Sequence, residues 1–146
     1  MEPLAPPATS NLQYASLWQR LGALLLDWLI LVFLVGIPGL YIAVLLAGAL
    51  YFVLFPWIAF PISSLYFIVG NGRGGTWGKR IIGLRVRDVN RSGQIGLGRG
   101  LVRYLLWLVG LYCLYLGWLW MIWDDRKQTW HDKAAGSAVV QWSQSH

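Results

Sequence analysis

Charged side chains are scarce in this chain, and their scarcity excludes an ordinary soluble domain. Only 12% of the 146 residues are charged, whereas 57% are hydrophobic and ten are tryptophan. Residues 21–72 carry a single charged side chain, Asp27. A helix needs about 20 apolar residues to cross about 30 Å of hydrocarbon. The length therefore predicts one all-α membrane domain with about three transmembrane helices.

Cysteine and histidine are almost absent as well. Cys113 is the only cysteine, so neither an intramolecular disulfide nor a thiolate metal cluster can form. His131 has no second ligand three or four residues away, which makes a metal site a weak interpretation. No Ser-His-Asp or Cys-His arrangement is evident. We therefore expect no metal, no cofactor and no enzymatic activity.

The N-terminal residues lack the basic start of a cleavable signal peptide. Residues 1–13 contain Glu2 and several prolines but no lysine or arginine. They predict a flexible tail, as do residues 141–146 at the other end. Ser16 and Gln19 fit a capping box directly before the first apolar run. Helix 1 is therefore expected at about residues 17–37 and should remain in the mature protein.

Turn-forming residues set the other predicted boundaries. Pro38-Gly39 predicts the end of helix 1, so helix 2 should cover about residues 40–69. Pro56 and Pro61 should kink or break it, because each removes a backbone donor. Alternating apolar residues on both sides of a turn predict a short cytoplasmic β-hairpin at about residues 84–97. Helix 3 should follow at about residues 98–123.

Helix 3 leaves two topologies open. A full span would place the tail after Trp123 on the side opposite the N-terminus. A re-entrant hairpin bent at Gly110 or Gly117 would return that tail to the cytoplasmic side, which its three basic residues favour. Three acidic residues in the same tail dilute this charge signal. We favour the spanning version from sequence.

Eight of the twelve basic residues lie between Arg73 and Arg103. The positive-inside rule places the N-terminus and the loop at residues 70–100 in the cytoplasm. Anionic lipid headgroups, not nucleic acid, are the expected electrostatic partner. A membrane-protein partner for these residues is the alternative. The side chains assigned to headgroups or a partner are Lys79, Arg80, Arg85, Arg87, Arg99 and Arg103.

Asp27 is the main candidate for a functional side chain. A carboxylate at bilayer depth costs roughly 2.5–3.5 kcal/mol, so it should face protein or water. It is either a group that responds to protons or cations, or a carboxyl group that is hydrogen-bonded across helices for packing. Arg20 lies two helical turns earlier on the same face. It either anchors a lipid phosphate or seeks a polar partner on another segment.

Four ordered motifs resemble the RDD family of small integral membrane proteins. The resemblance covers about residues 14–140, nearly the whole chain, and implies that they form the transmembrane domain. Its motifs are Arg20–Asp27, Thr76–Asp88, Gly98–Arg103 and Trp130–Ser137. That family is named for one arginine and two aspartates, which the resemblance assigns to Arg20, Asp27 and Asp132. It implies a bacterial plasma (inner) membrane location and transport of an unknown ligand, with sodium–proton exchange proposed for some members.

Asp132 also has a purely local interpretation. Thr129 and Asp132 have the spacing of a helix N-cap and an acidic residue three positions later, a contribution of about 1 kcal/mol. The two roles are compatible, since a capping carboxylate could also accept a bond from Arg20. Such a contact requires the tail to lie on the cytoplasmic side, and it would support the re-entrant topology.

Two functions therefore stay open at the level of sequence. The first is transport of an ion or small ligand at a site with Arg20, Asp27 and Asp132, which would require a homo-oligomer because three helices enclose little volume. The second is a membrane scaffold or assembly subunit that binds another membrane protein. In that case the same three residues would fix the fold.

Overall fold

The computed structural model describes residues 13–45, 48–89, 93–112 and 116–141. It is mostly helical, with a two-stranded antiparallel sheet. The predicted tails fall largely outside the described residues. The elements are α1 (Leu17–Leu31), a π-helical turn (Val32–Gly36), α2 (Ile37–Leu45), α3 (Ala49–Gly72), α4 (Trp77–Ile81), β1 (Leu84–Asp88), α5 (Gly96–Tyr112), α6 (Leu116–Leu119), a 3-10 turn (Trp120–Ile122), α7 (Trp130–Ala134) and β2 (Ser137–Gln141).

The start of α1 confirms the predicted capping box. The Ser16 hydroxyl accepts the Gln19 backbone N–H at 3.3 Å, and the Gln19 side chain accepts the Ser16 N–H at 2.9 Å. Two of the otherwise unpaired donors at the helix start are thereby satisfied. The helix begins at Leu17, as the sequence predicts.

The predicted turn at Pro38-Gly39 is wrong. The first long helix continues through α2 to Leu45, so helix 1 does not end at residue 37 and helix 2 does not begin at residue 40. A π-helical turn at Val32–Gly36 precedes the proline. This wider turn accommodates the missing N–H and the bulky ring. Gly48, with φ of 70°, precedes α3 instead.

The third helix, α3, runs through Pro56 and Pro61 without ending, so the predicted break does not occur. Just beyond the prolines, the Ser63 and Ser64 hydroxyls donate to carbonyl oxygens one turn earlier, at 2.8 and 2.7 Å. Two stretches, Leu17–Leu45 and Val53–Gly72, are long and apolar enough to cross a membrane.

The β-hairpin predicted at residues 84–97 does not form as predicted either. The first strand exists, but β1 pairs antiparallel with β2, Leu84 lying opposite Gln141. Residues 96 and 97 belong to α5, and residues 90–92 of the predicted turn lie outside the described part. A strand of alternating residues specifies its buried face but not its partner. Here the partner that buries Leu84 and Val86 comes from the end of the chain.

A small hydrophobic core joins the sheet to the start of α1. It consists of Ala15, Ala23, Leu84, Val86, Ile95 and Val139. The Ala15 N–H donates to the Val139 carbonyl at 2.9 Å, and Tyr14 forms a β-bridge with Val140. The last strand is therefore held between the segment before α1 and β1.

The predicted helix at residues 98–123 is divided in the structure. α5 covers Gly96–Tyr112 and α6 covers Leu116–Leu119, with residues 113–115 outside the described part. Both helices contact α7. Arg103 pairs with Asp132, and the Trp118 ring lies 6.4 Å from the His131 ring. α5 and α6 thus both pack against the short helix α7. This arrangement favours the re-entrant alternative for the segment after Gly98.

Cysteine labelling tests this arrangement. We expect Gln94→Cys and Asp125→Cys, each in a Cys113→Ala background, to react with an impermeant maleimide from the same side of the membrane. Both parent residues are exposed. The physical reason is the buried ion pair that joins the tail to the start of α1. Labelling from opposite sides would contradict the structure.

Candidate functional site

The Asp27 carboxylate is buried and fully hydrogen-bonded. Its side chain is 1% exposed. One oxygen accepts from the Thr76 hydroxyl at 2.6 Å. The other accepts from the Tyr66 hydroxyl at 2.6 Å and from the Gly78 N–H at 2.7 Å. The donors come from α3 and from the start of α4, so this one carboxylate joins three helices.

Close approach of α4 to α1 makes these bonds available. Gly78 lies directly against Asp27, and a Cβ placed there would be 2.7 Å from a carboxylate oxygen. Such a separation is shorter than carbon and oxygen tolerate without movement of the backbone. A glycine is therefore required at this position for packing and not for its φ angle.

Asp132 is buried as well, but its partners are charged. One oxygen pairs with Arg20 and accepts the Thr129 N–H at 3.2 Å. The other oxygen lies 2.5 Å from an Arg103 nitrogen. The carboxylate therefore faces the first turn of α7 and binds Arg20 at the same time, which unites the two interpretations drawn from the sequence.

The two arginines are held by further bonds. Arg20 donates to the Lys127 carbonyl at 2.6 Å, and Arg103 donates to the Ser137 hydroxyl at 2.6 Å. Both side chains are about 4% exposed. The prediction that Arg103 binds lipid headgroups is therefore wrong, because its place on α5 turns it toward α7 and away from the surface.

The other residues assigned to headgroups lie closer to the surface. Arg80 is exposed and donates to the carbonyls of Gly75 and Arg73 at 2.9 and 2.8 Å. Arg99 forms an ion pair with Asp88 and stays 44% exposed. A surface groove collects several of the basic side chains: Arg73, Arg80, Arg85 and Arg87. Its charge suits an anionic partner.

A cavity of about 50 Å³ lies between the two aspartate sites. Aromatic and apolar side chains form much of its wall. Of the three residues predicted to form the site, Arg20 and Asp27 border the cavity. Asp132 does not line it and lies behind the arginines. The polar lining residues are Arg20, Asp27, Asn71, Lys79, Arg103 and His131.

Lys79 is the titratable amine of this cavity. Its ammonium donates to the Asn71 side-chain oxygen at 2.5 Å. Burial, reinforced by the charge of Arg103, lowers the pKa of Lys79 to about 7. Its proton is therefore exchangeable near neutral pH. Lys79 is only partly exposed and lines the cavity. Its position therefore does not match the prediction that it binds lipid headgroups.

His131 and Asp132 on α7 have fixed protonation states at neutral pH. Burial lowers the pKa of His131 to about 3, which keeps this imidazole neutral. Burial alone would raise the pKa of Asp132, but Arg103 and Arg20 outweigh it and hold the pKa well below its usual range. Asp132 is therefore a permanent anion. In the described ranges, no three His, Cys, Asp or Glu side chains converge as metal ligands.

Sequence reasoning missed the residues that satisfy Asp27. Tyr66 near the end of an apolar helix was an available signal, because a buried phenol requires a hydrogen-bond partner. Thr76 precedes a short helix and was interpretable as its N-cap. Neither signal indicates which residue is the partner.

Comparison with known protein families covers most of the chain. The model of the RDD family matches residues 14–136. The chain belongs to the RDD family. This confirms the resemblance drawn from its four motifs.

The RDD chain also resembles a curated protein, the uncharacterized protein YxaI of Bacillus subtilis (strain 168). The two are 31% identical over 86 residues, which cover 57% of this chain and 55% of YxaI. The chain thus spans about half the length of the curated relative it matches. No solved structure is significantly similar to it.

Gly78→Ala tests the contact between α1 and α4. We expect a loss of about 1–3 kcal/mol in the free energy of unfolding, because the added methyl group overlaps the Asp27 carboxylate. Thermal unfolding of the purified protein in detergent measures this change. The matched control is Gly98→Ala, since a Cβ there meets nothing within 4 Å. Equal stability of the two variants would contradict the contact.

The buried imidazole predicts a pH dependence of stability. The folded state binds a proton at His131 only near pH 3, whereas the unfolded state does so near pH 6.5. The unfolded state therefore holds more protons between these values, and stability falls as the pH is lowered from 6.5. The expected slope from this group is about 1.4 kcal/mol per pH unit at most.

Unfolding midpoints measured from pH 6.5 to pH 5 check this prediction. His131→Gln should flatten the dependence. The control is His146→Gln, which changes the other histidine of the chain. An unchanged slope in His131→Gln would show that the imidazole is not held neutral by burial.

Proposed function

We propose that this RDD protein transports an ion or a small ligand through a site that involves Asp27. The observation that carries the proposal is the cavity beside this aspartate, which is bordered by several charged side chains, and the position of the aspartate in the first apolar stretch of the chain. A charged group in such a segment is costly and is typical of ion or proton pathways. Chemistry on a bound substrate is not part of the proposed role.

Asp27, Arg20 and Asp132 have separate tasks in this proposal. The Asp27 carboxylate sets a negative potential on one wall of the cavity. The Arg20–Asp132 pair keeps the tail in place and provides the positive wall. Lys79 supplies an exchangeable proton, which would couple ligand movement to pH.

The cavity alone is too small to form a path across the bilayer. Its volume of about 50 Å³ accommodates a few water molecules. A homo-oligomer would provide the additional wall. Large apolar side chains along both candidate spans are exposed, for example Phe33, Trp57 and Phe60, so surface for such contacts exists.

The proposed location is a bacterial plasma membrane with the N-terminus, the loop at residues 70–100 and the C-terminal tail in the cytoplasm. The basic groove formed by Arg73, Arg80, Arg85 and Arg87 supports this orientation. Anionic lipid headgroups are its proposed partner. The segment after Gly98 would then enter the membrane and return.

A membrane scaffold or assembly subunit is the second candidate. The observation in its favour is that both buried aspartates are held by the protein itself, Asp27 through hydrogen bonds from neutral donors and Asp132 through ion pairs with two arginines. Groups satisfied in this way hold segments together without needing a ligand. A stoichiometric partner that co-purifies with the protein would support this function.

Flux measurements in proteoliposomes distinguish the two. We expect Asp27→Asn to lose most of the ion flux of the wild type, because the negative charge beside the cavity is removed. Asp125→Asn is the matched control, since Asp125 is exposed in the loop after α6. Full coupled flux in Asp27→Asn would eliminate any role of this carboxylate in transport.

A further inference from the structure

We propose that the cavity between the two aspartate sites binds a small monovalent inorganic anion, held by Arg20, Lys79 and Trp118. All three residues line it. The inference concerns binding and goes beyond the transport proposal, because an anion bound there is compatible with either candidate function.

The charges around the cavity leave a positive excess. Three cationic side chains, Arg20, Lys79 and Arg103, border it. They are opposed by Asp27 and by Asp132, which lies behind the arginines. With Lys79 protonated, one positive charge is not balanced. A buried charge is costly unless it is paired, so the site with Lys79 protonated favours an anion as its ligand.

Hydrogen-bond donors without acceptors point in the same direction. Within the described ranges, Arg20 Nε and Trp118 Nε1 are two of the buried side-chain atoms without a hydrogen-bond partner, a group that also includes Thr129 Oγ1 and Asp132 Oδ1. Buried N–H groups of native proteins are normally paired. A ligand that only accepts hydrogen bonds would satisfy both, whereas a cation would find the Asp27 oxygens already engaged by three donors.

The size of the cavity limits the class of anion. A cavity must offer about 10–15 Å³ to hold one water molecule, and this cavity offers about 50 Å³. A halide with one or two waters, or a planar ion such as nitrate, fits this space. Gluconate, a nucleotide or a lipid headgroup does not.

Protonation of Lys79 should control the affinity. Burial lowers the pKa of Lys79 to about 7, so the ammonium form, which attracts an anion, predominates below that pH. Anion binding should therefore strengthen as the pH falls from 8.5 to 6. The other charged or titratable groups that line the cavity or contact its lining are Arg20, Asp27, Tyr66, Arg103, Tyr104, His131 and Asp132.

The test is thermal unfolding of the full chain, purified in detergent, as sodium chloride replaces sodium gluconate at constant ionic strength. A ligand that binds the folded state raises the unfolding midpoint with its concentration. We expect this rise with chloride in the wild type, larger at pH 6 than at pH 8.5. Lys79→Gln should weaken the apparent chloride affinity roughly tenfold or more.

Two variants complete the design. Lys133→Gln removes the same charge at an exposed lysine, which pairs with Asp124 at 2.5 Å, and should keep the wild-type response. Trp118→Phe keeps an aromatic ring but loses the indole N–H, and should weaken chloride binding. If Lys79→Gln does not fold, Trp118→Phe and the pH dependence of the wild type still test whether chloride binds in the cavity.

Equal midpoints in chloride and gluconate would overturn the inference, as would a response in Lys79→Gln that equals the wild type. A midpoint that changes only when choline replaces sodium would instead indicate a cation site and also overturn it. Chloride binding in a protein that shows no ion flux would support the inference while contradicting transport.

Discussion

The Asp132 carboxylate, buried between Arg20 and Arg103, is the interaction on which the rest of the structure depends. It joins α1, α5 and α7, whose residues are far apart in the chain. Removing one partner of a buried ion pair typically costs about 3–5 kcal/mol, because the remaining charge stays buried. With α7 in place, β2 reaches β1 and the core around Val139 closes.

Asp27 meets the same problem of a buried carboxylate by a different route. Its three donors are neutral, and two of them lie at the start of α4. Asp27 and Asp132 therefore have separate partners, and the cavity lies in the region between them. Burial beside that cavity lowers the pKa of Lys79 to about 7, so the charge of this lysine can change near neutral pH.

Several elements were predictable from local sequence. The capping box at Ser16 fixes the start of α1, and alternating residues identify β1. Other elements were not, because their outcome depends on distant contacts. Pro38 predicts a turn, but a π-helical turn before it lets the helix continue. Arg103 lies where the sequence predicts a headgroup anchor, but its side of α5 faces Asp132.

The sequence by itself determined the membrane class, the family and the set of Arg20, Asp27 and Asp132, since composition and motif order are properties of the linear chain. Tertiary structure alone decided their partners: Arg20 meets Asp132 across 112 positions, and Asp27 meets Gly78 across 51. Local patterns act over one or two helical turns. A buried carboxylate instead selects whichever donors the packed helices bring within hydrogen-bonding distance.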